Sequence, residues 1–260
     1  MNKNLHFKNK QIIDLLFFFS IRVVKIRYRK TLVGIFWMFI KPALSLMIFT
    51  LLFKYIISIK IDSDSYAIFF LTGIIPWIFF SQILSDFSNA YIDNPKLVNR
   101  VYMPKFIIPM SYFFVNFIEF VLSMFLVIII YYFLINDFNI NLFLLFKSVF
   151  LLVIFSLSFG ILVGSLHTRF RDIKHIIPLI LQVGILISPV AYSTLMIPEM
   201  LLKIYYLNPL ALIIDSFREA FGLGDYSNSE TLFSLFTIML SISFALAVYM
   251  YFKKRLSEFL

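Results

Sequence analysis

Residues 106–136 read F-I-I-P-M-S-Y-F-F-V-N-F-I-E-F-V-L-S-M-F-L-V-I-I-I-Y-Y-F-L-I-N, an apolar run in which Glu119 is the one charged side chain. An α-helix rises about 1.5 Å per residue, so about 20 residues cross the ~30 Å hydrocarbon layer of a bilayer, and this run is longer than that. It has no period-two alternation, and an open sheet cannot satisfy its backbone in lipid, which leaves a spanning helix. The same reading extends outward to 31–59, broken only by Lys41 and Lys54, and to 65–90, uncharged as far as Ser85. It extends further to 138–168, with only Lys147, and to 176–198 and 231–252, both uncharged. The expected fold is all-α and integral to the membrane, with six transmembrane helices in one transmembrane domain over 1–260.

Composition agrees. Of the 260 residues 61% are hydrophobic and 14% charged, with mean hydropathy +0.93, against roughly half apolar and a quarter charged in a soluble domain. A soluble core of this size cannot hide so much apolar surface. With no cysteine and only 7 glycines, disulfide scaffolds, thiolate metal sites and collagen are excluded. Lys3, Lys8 and Lys10 precede the apolar stretch from Ile12 to Phe19, but Arg22, Lys25, Arg27, Arg29 and Lys30 follow it and no A-x-A pattern exists, so the N-terminus is expected to be retained.

An even number of spans places both termini on one side, and the Lys/Arg distribution says which. Terminus-side segments carry Lys3, Lys8, Lys10, Arg22, Lys25, Arg27, Arg29, Lys30 and Lys41, then Lys96, Arg100 and Lys105, then Arg169, Arg171 and Lys174, then Lys253, Lys254 and Arg255. The other side claims Lys54, Lys60, Lys147, Lys203 and Arg218. Both termini are therefore expected in the cytoplasm. The net charge of +9 is then answered by topology and anionic lipid, with no need of nucleic acid.

Four segments are not simple spans. Within 1–30, Gln11, Asp14, Arg22, Lys25 and Arg29 fall on one helical face and Ile12, Leu15, Leu16, Phe19, Val23 and Ile26 occupy the rest, the pattern of an amphipathic interface helix. Phe18 sits on the polar face and Arg27 off it. The helix is either an anchor that sets topology or a basic surface for an anionic lipid-linked substrate. Between spans, 93–104 reads D-N-P-K-L-V-N-R-V-Y-M-P, in which Asp93 or Asn94 can cap a helix with Pro95 in its first turn and Met103-Pro104 ends it. That short helix either packs on its own bundle or docks in a partner's groove. The loop carrying Arg169, Arg171 and Lys174 is either positive-inside charge or a contact for a phosphate or partner. Finally, 199–230 is apolar for a loop, neither half long enough to cross, and two short re-entrant helices broken at Asn208-Pro209 fit it as an external gate.

Glu119 in mid-span is a proton-coupling site or a buried, hydrogen-bonded structural acid. Gly160 and Gly164 form a G-x-x-x-G, which favours close helix packing. His167 and His175 have no third ligand at metal-site spacing, so no metal is expected. No phosphate-loop, G-x-S-x-G, H-E-x-x-H or kinase pattern is present, so the chain is expected to be neither an enzyme nor its own ATPase, with no cofactor of its own.

The chain resembles the membrane subunit of ATP-binding-cassette (ABC) polysaccharide exporters, which move O-antigen, capsule or teichoic acid. The resemblance rests on Arg27 to Leu44 (R-Y-R-K-T-L-V-G-I-F-W-M-F-I-K-P-A-L), Leu71 to Ser81 (L-T-G-I-I-P-W-I-F-F-S) and Asn94 to Pro109 (N-P-K-L-V-N-R-V-Y-M-P-K-F-I-I-P). It continues through Arg169 to Pro178 (R-F-R-D-I-K-H-I-I-P), Ser188-Pro189, Leu207 to Leu210 and Phe217-Arg218. It implies a homodimer in the bacterial inner membrane with two separate ATPase subunits, which bind ATP and Mg, moving a polymer on undecaprenyl diphosphate. By the same resemblance Asn94, Pro95, Lys96, Leu97, Val98, Arg100, Val101 and Tyr102 form the coupling helix that meets the ATPase. Arg27 and Arg29 lie near the entrance for the diphosphate, and Asn208 and Pro209 mark the external gate. The competing readings are an ion-coupled carrier using Glu119, or an ABC exporter of a drug or small lipid.

Overall fold

The computed structural model describes residues 9–29, 31–51, 63–100, 103–135 and 139–224, with scattered residues between 236 and 250. Among these the chain is helical without strands: α1 (Asn9–Tyr28), α2 (Trp37–Leu51), α3 (Ser63–Ala90), α4 (Pro95–Arg100), α5 (Ile107–Leu134), α6 (Leu142–Arg169), α7 (Ile173–Ile187), α8 (Glu199–Tyr205) and α9 (Pro209–Ala220). Three helices, within α3, α5 and α6, are long and apolar enough to cross a membrane. Residues 52–59 of the expected span over 31–59, including Lys54, and most of 231–252 lie outside the described residues.

The centre is α3, which touches α2, α5, α6, α7 and α9. Its Phe70, Phe79, Ile83 and Phe87 are fully enclosed, and rings from neighbouring helices interlock with it: Phe79 with Phe120 of α5 at 5.0 Å, and Phe80 with Phe155 of α6 at 5.4 Å. The expected G-x-x-x-G packing is realised against α3. A Cβ at Gly160 would stand 2.7 Å from the Phe87 ring, and one at Gly164 only 2.6 Å from the Phe87 carbonyl oxygen. Gly164→Ala therefore has to push backbone from backbone. We expect a loss of ~1–3 kcal/mol, the usual range for overpacking, measured as a lower melting temperature in detergent with α-helix content unchanged.

Several serine hydroxyls inside the spans bond within their own helix, satisfying themselves where water is absent. Ser148, Ser158 and Ser165 each donate to the carbonyl four residues earlier.

One expected span is corrected. The run over 176–198 is helical only to Ile187, because Ser188 turns extended (φ −86°, ψ 147°) ahead of Pro189, which has no N–H to continue the ladder. At 15 residues α7 is about 22 Å long, short of the ~30 Å hydrocarbon layer. Beyond the break come α8 and α9, separated at Asn208-Pro209 as expected. Asn208 caps α9 by accepting from the Leu210 amide at 3.1 Å, with Pro209 in the first turn. Helix α9 is buried almost throughout, packed on α3 and α6. Its end is tied to the start of α6 by Asn141 N–H donating to the Ala220 carbonyl.

Candidate functional site

The hairpin α3–α4–α5 places α4 at one end of the bundle. Asn94 is buried there, and its amide donates to the Ala90 carbonyl at 3.0 Å and to the Tyr112 hydroxyl at 3.4 Å, so the entry to α4 is fixed to both flanking helices. Val98 turns inward and joins Ala90, Tyr91 and Ile108 in a small core of its own, with Leu97 packed against it. Pro95 and Lys96 are exposed. This short helix packs on its own bundle through Val98 and leaves Pro95 and Lys96 on an outward face. Val101 and Tyr102 lie outside the described residues, and Arg100 forms the last residue of α4. At the same end, Arg169 is exposed with its guanidinium 5.2 Å from the Phe170 ring, and Arg171 is exposed beside it. His167 is buried, its Nδ1 2.7 Å from the Ser88 carbonyl oxygen, while His175 is exposed.

Two turns and more above α4 lies a cluster of charges that no single segment announces. Arg27 of α1 reaches between α3 and α5, its Nη2 donating to Asp86 at 2.6 Å and its Nη1 to Glu119 at 2.7 Å and to Asn116 at 2.8 Å. Asn116 in turn donates to Asp86 at 2.7 Å, and the Tyr28 hydroxyl donates to the same Glu119 oxygen at 2.6 Å. Burial works against the Arg27 charge, but Asp86 and Glu119 more than offset it and hold the guanidinium above its ordinary pKa. Burial, then the bond to Glu119, pushes the Tyr28 phenol up as well. Glu119 is thus buried and partnered by Arg27 and Tyr28.

The arrangement makes α1 part of the bundle. Phe19 and Val23 are buried against it, Ser20 donates to the Ser111 carbonyl at 3.4 Å, and Arg27 follows one turn beyond Val23 on the same stripe. Asp14, Lys25 and Arg29 are exposed on the opposite side, as the amphipathic pattern predicts, though Ile26, assigned to the apolar face, is exposed too. Of the two residues that the resemblance assigns to an entrance, Arg29 is exposed and Arg27 is engaged by two carboxylates. Lys41 is also exposed and lines a small cleft with Gln82, Glu119 and Ser123 beside this cluster. Sequence reasoning passed over Asp86, Asn116 and Tyr28.

At the end of the bundle away from α4, Asn208 Nδ2 donates to Ser188 Oγ at 3.0 Å, fastening the start of α9 to the end of α7. Tyr205 and Tyr192 hydroxyls meet at 3.2 Å. Arg218, assigned to the external charge count from the sequence, has no exposed surface at all and pairs with Asp215 at 3.5 Å.

Known proteins match this sequence along most or all of its length. The sequence profile of the ABC-2 type transporter family matches residues 15–221. An O-antigen export system permease protein RfbA of Klebsiella pneumoniae is 26% identical over 265 residues, covering all of both chains. One from Myxococcus xanthus is 27% identical over 92% of this chain and 91% of its own. The polysialic acid transport protein KpsM of Escherichia coli is 26% identical over 88% of this chain and 90% of its own. The matched segment runs from the middle of α1 to the residue after α9 and takes in the Arg27 cluster, α4 and the buried Arg218, so this chain belongs to the ABC-2 type transporter family.

Proposed function

We propose that this chain is the membrane permease of an ATP-driven exporter of surface polysaccharide, of the O-antigen or capsule kind, carried on undecaprenyl diphosphate across the bacterial inner membrane. The observation that carries the reading is full-length similarity to permeases named for O-antigen export and polysialic acid transport, within the ABC-2 type transporter family. The permease works as a homodimer with two ATP-binding-cassette subunits, which supply ATP and Mg, and both of its termini are cytoplasmic. Two short apolar helices, α2 and α7, leave Met47, Ile48, Leu179 and Leu186 uncovered within one copy, and a second copy meeting them fits that exposure.

In this reading ATP binding draws the two ATPase subunits together and moves α4, whose exposed Lys96 and neighbouring Arg169 and Arg171 offer the contact surface. Because Asn94 ties α4 to both α3 and α5, and Arg27 ties the same two helices to α1, the displacement reaches the interface helix as well. Only the difference in ATP affinity between the two states drives this shift. Arg29 and the exposed basic side of α1 receive the diphosphate headgroup. The outer gate is the α8–α9 unit at Asn208-Pro209.

Co-purification tests it. The tagged chain, extracted in mild detergent from its own host, is expected to bring down an ATP-hydrolysing subunit in equal proportion. Vesicles holding both should release lipid-linked polysaccharide only with ATP. Recovery of the folded chain alone, with transport following an imposed proton gradient, would overturn the exporter reading.

A further inference from the structure

Arg218 and Asp215 are both fully buried among apolar helices. A buried ion pair is a poor device for stability alone, since apolar side chains of the same volume often serve as well, and ionisable groups at membrane depth are expensive to keep. What this pair does is hold backbone. Arg218 Nη2 donates to the Val190 carbonyl at 3.1 Å and Nη1 to the Tyr192 carbonyl at 3.2 Å. The guanidinium lies 3.6 Å from the centre of the Phe69 ring of α3. Asp215, one turn earlier, takes the Tyr206 hydroxyl at 3.3 Å and steadies the guanidinium.

Val190 and Tyr192 belong to the turn that Pro189 forces at the end of α7. A proline there removes the amide that would continue the helix ladder, and the planar fork of an arginine answers two carbonyls of the turn at once. On its other side the Val190 carbonyl rests against α3 where there is no side chain: a Cβ at Gly73 would stand 2.7 Å from that oxygen and 3.1 Å from Arg218 Nη2. Three elements, α3, α9 and the end of α7, therefore meet at one guanidinium. Elsewhere α7 has Ile177 as its one buried residue and packs on the core through the partly buried Ile173, Leu181 and Ile185.

We propose that Arg218 is a positioning residue that clamps the turn at 188–192 between α3 and α9, and that this clamp keeps the pathway shut at this end of the molecule when no nucleotide is bound. The proposal rests on the permease reading. Release of the clamp frees the end of α7 without unfolding α3, α5 or α6.

The test uses the full chain with its co-purified ATPase subunit, reconstituted in vesicles filled with carboxyfluorescein, in the absence of nucleotide. Arg218→Lys keeps the charge but loses the fork that spans two carbonyls. Gly73→Ala keeps the arginine itself but sets a methyl group 2.7 Å from the Val190 carbonyl oxygen and 3.1 Å from Nη2, wedging the two apart. Both variants are expected to raise dye release about tenfold, the factor equivalent to ~1.4 kcal/mol in the closed-to-open equilibrium, at normal yield and elution volume. A merely structural role would lower yield or melting temperature without leak. Vesicles of Gly73→Ala as tight as wild type would overturn the proposal, and this variant decides the matter if Arg218→Lys fails to accumulate. Dye release without nucleotide does not depend on the polysaccharide, so a failure of ATP-driven export in the wild type would sink the exporter reading while leaving this comparison standing.

Discussion

Asp86→Asn combined with Glu119→Gln is expected to destabilise the protein by far more than the two changes made singly. With either carboxylate alone, Arg27 keeps one full charge partner and the Asn116 oxygen, so each single amide should cost about 1 kcal/mol, the scale of one exchanged hydrogen bond. With both gone, the guanidinium faces only amides. Stranding a buried charge costs roughly 3–5 kcal/mol, and because the Arg27 side chain keeps 24% of its surface exposed we place the double variant near the bottom of that range, at about 3 kcal/mol. The excess over the sum of the singles is the coupling expected of residues that share one partner. Adding Arg27→Met to the double variant removes the stranded cation and should restore much of the melting temperature. Melting curves of the five proteins in one detergent check this, and strict additivity would mean that the cluster does not act as a unit. Transport adds a second discrimination. An exporter driven by ATP keeps most of its activity in Glu119→Gln, whereas a carrier that moves its proton on Glu119 loses all of it.

That cluster also marks the limit of what the sequence discloses. Two local anomalies were legible: a cation on the wrong side of an amphipathic helix at Arg27, and a lone carboxylate in a span at Glu119. Each is expensive by itself, and each is the other's explanation. They stand 92 residues apart, and no periodicity connects them. Asp86, by contrast, reads as an ordinary charge at the end of a span, and its role exists only in three dimensions. The spans themselves were readable because lipid imposes one length and one polarity on every crossing helix, and α3, α5 and α6 follow the apolar runs to within a few residues. The break in α7 was readable in principle from Ser188-Pro189, but the apolar run continues past it, and hydropathy does not register a missing amide. The burial of Arg218 was partly encoded too. Asp215 and Arg218 are spaced at i,i+3 in a helix whose first turns are apolar, a pairing that allows both to enter a core together.

The helix α4 offers the sharpest separation of folding from function, because its two faces have different neighbours. Val98→Asp puts a carboxylate into the small core formed with Ala90, Tyr91 and Ile108, with no cation within that cluster. An unpaired buried charge of this kind should cost ~3 kcal/mol or more, so this variant is expected to melt early and to lose export through loss of folded protein. Lys96→Glu changes an exposed side chain that the bundle does not use, and its stability should stay within ~0.5 kcal/mol of wild type. If α4 docks on the ATPase, reversing this charge should lower ATP-driven export at least tenfold while the purified complex still hydrolyses ATP, because the motor turns without moving its load. Leu97→Asp falls between them, since Leu97 packs against the Val98 core while remaining partly open. Export by Lys96→Glu at the wild-type rate, with an undisturbed melting curve, would remove Lys96 from the contact. The partner would then have to engage the Arg169–Arg171 loop, where the paired substitutions Arg169→Glu and Arg171→Glu give the same readout.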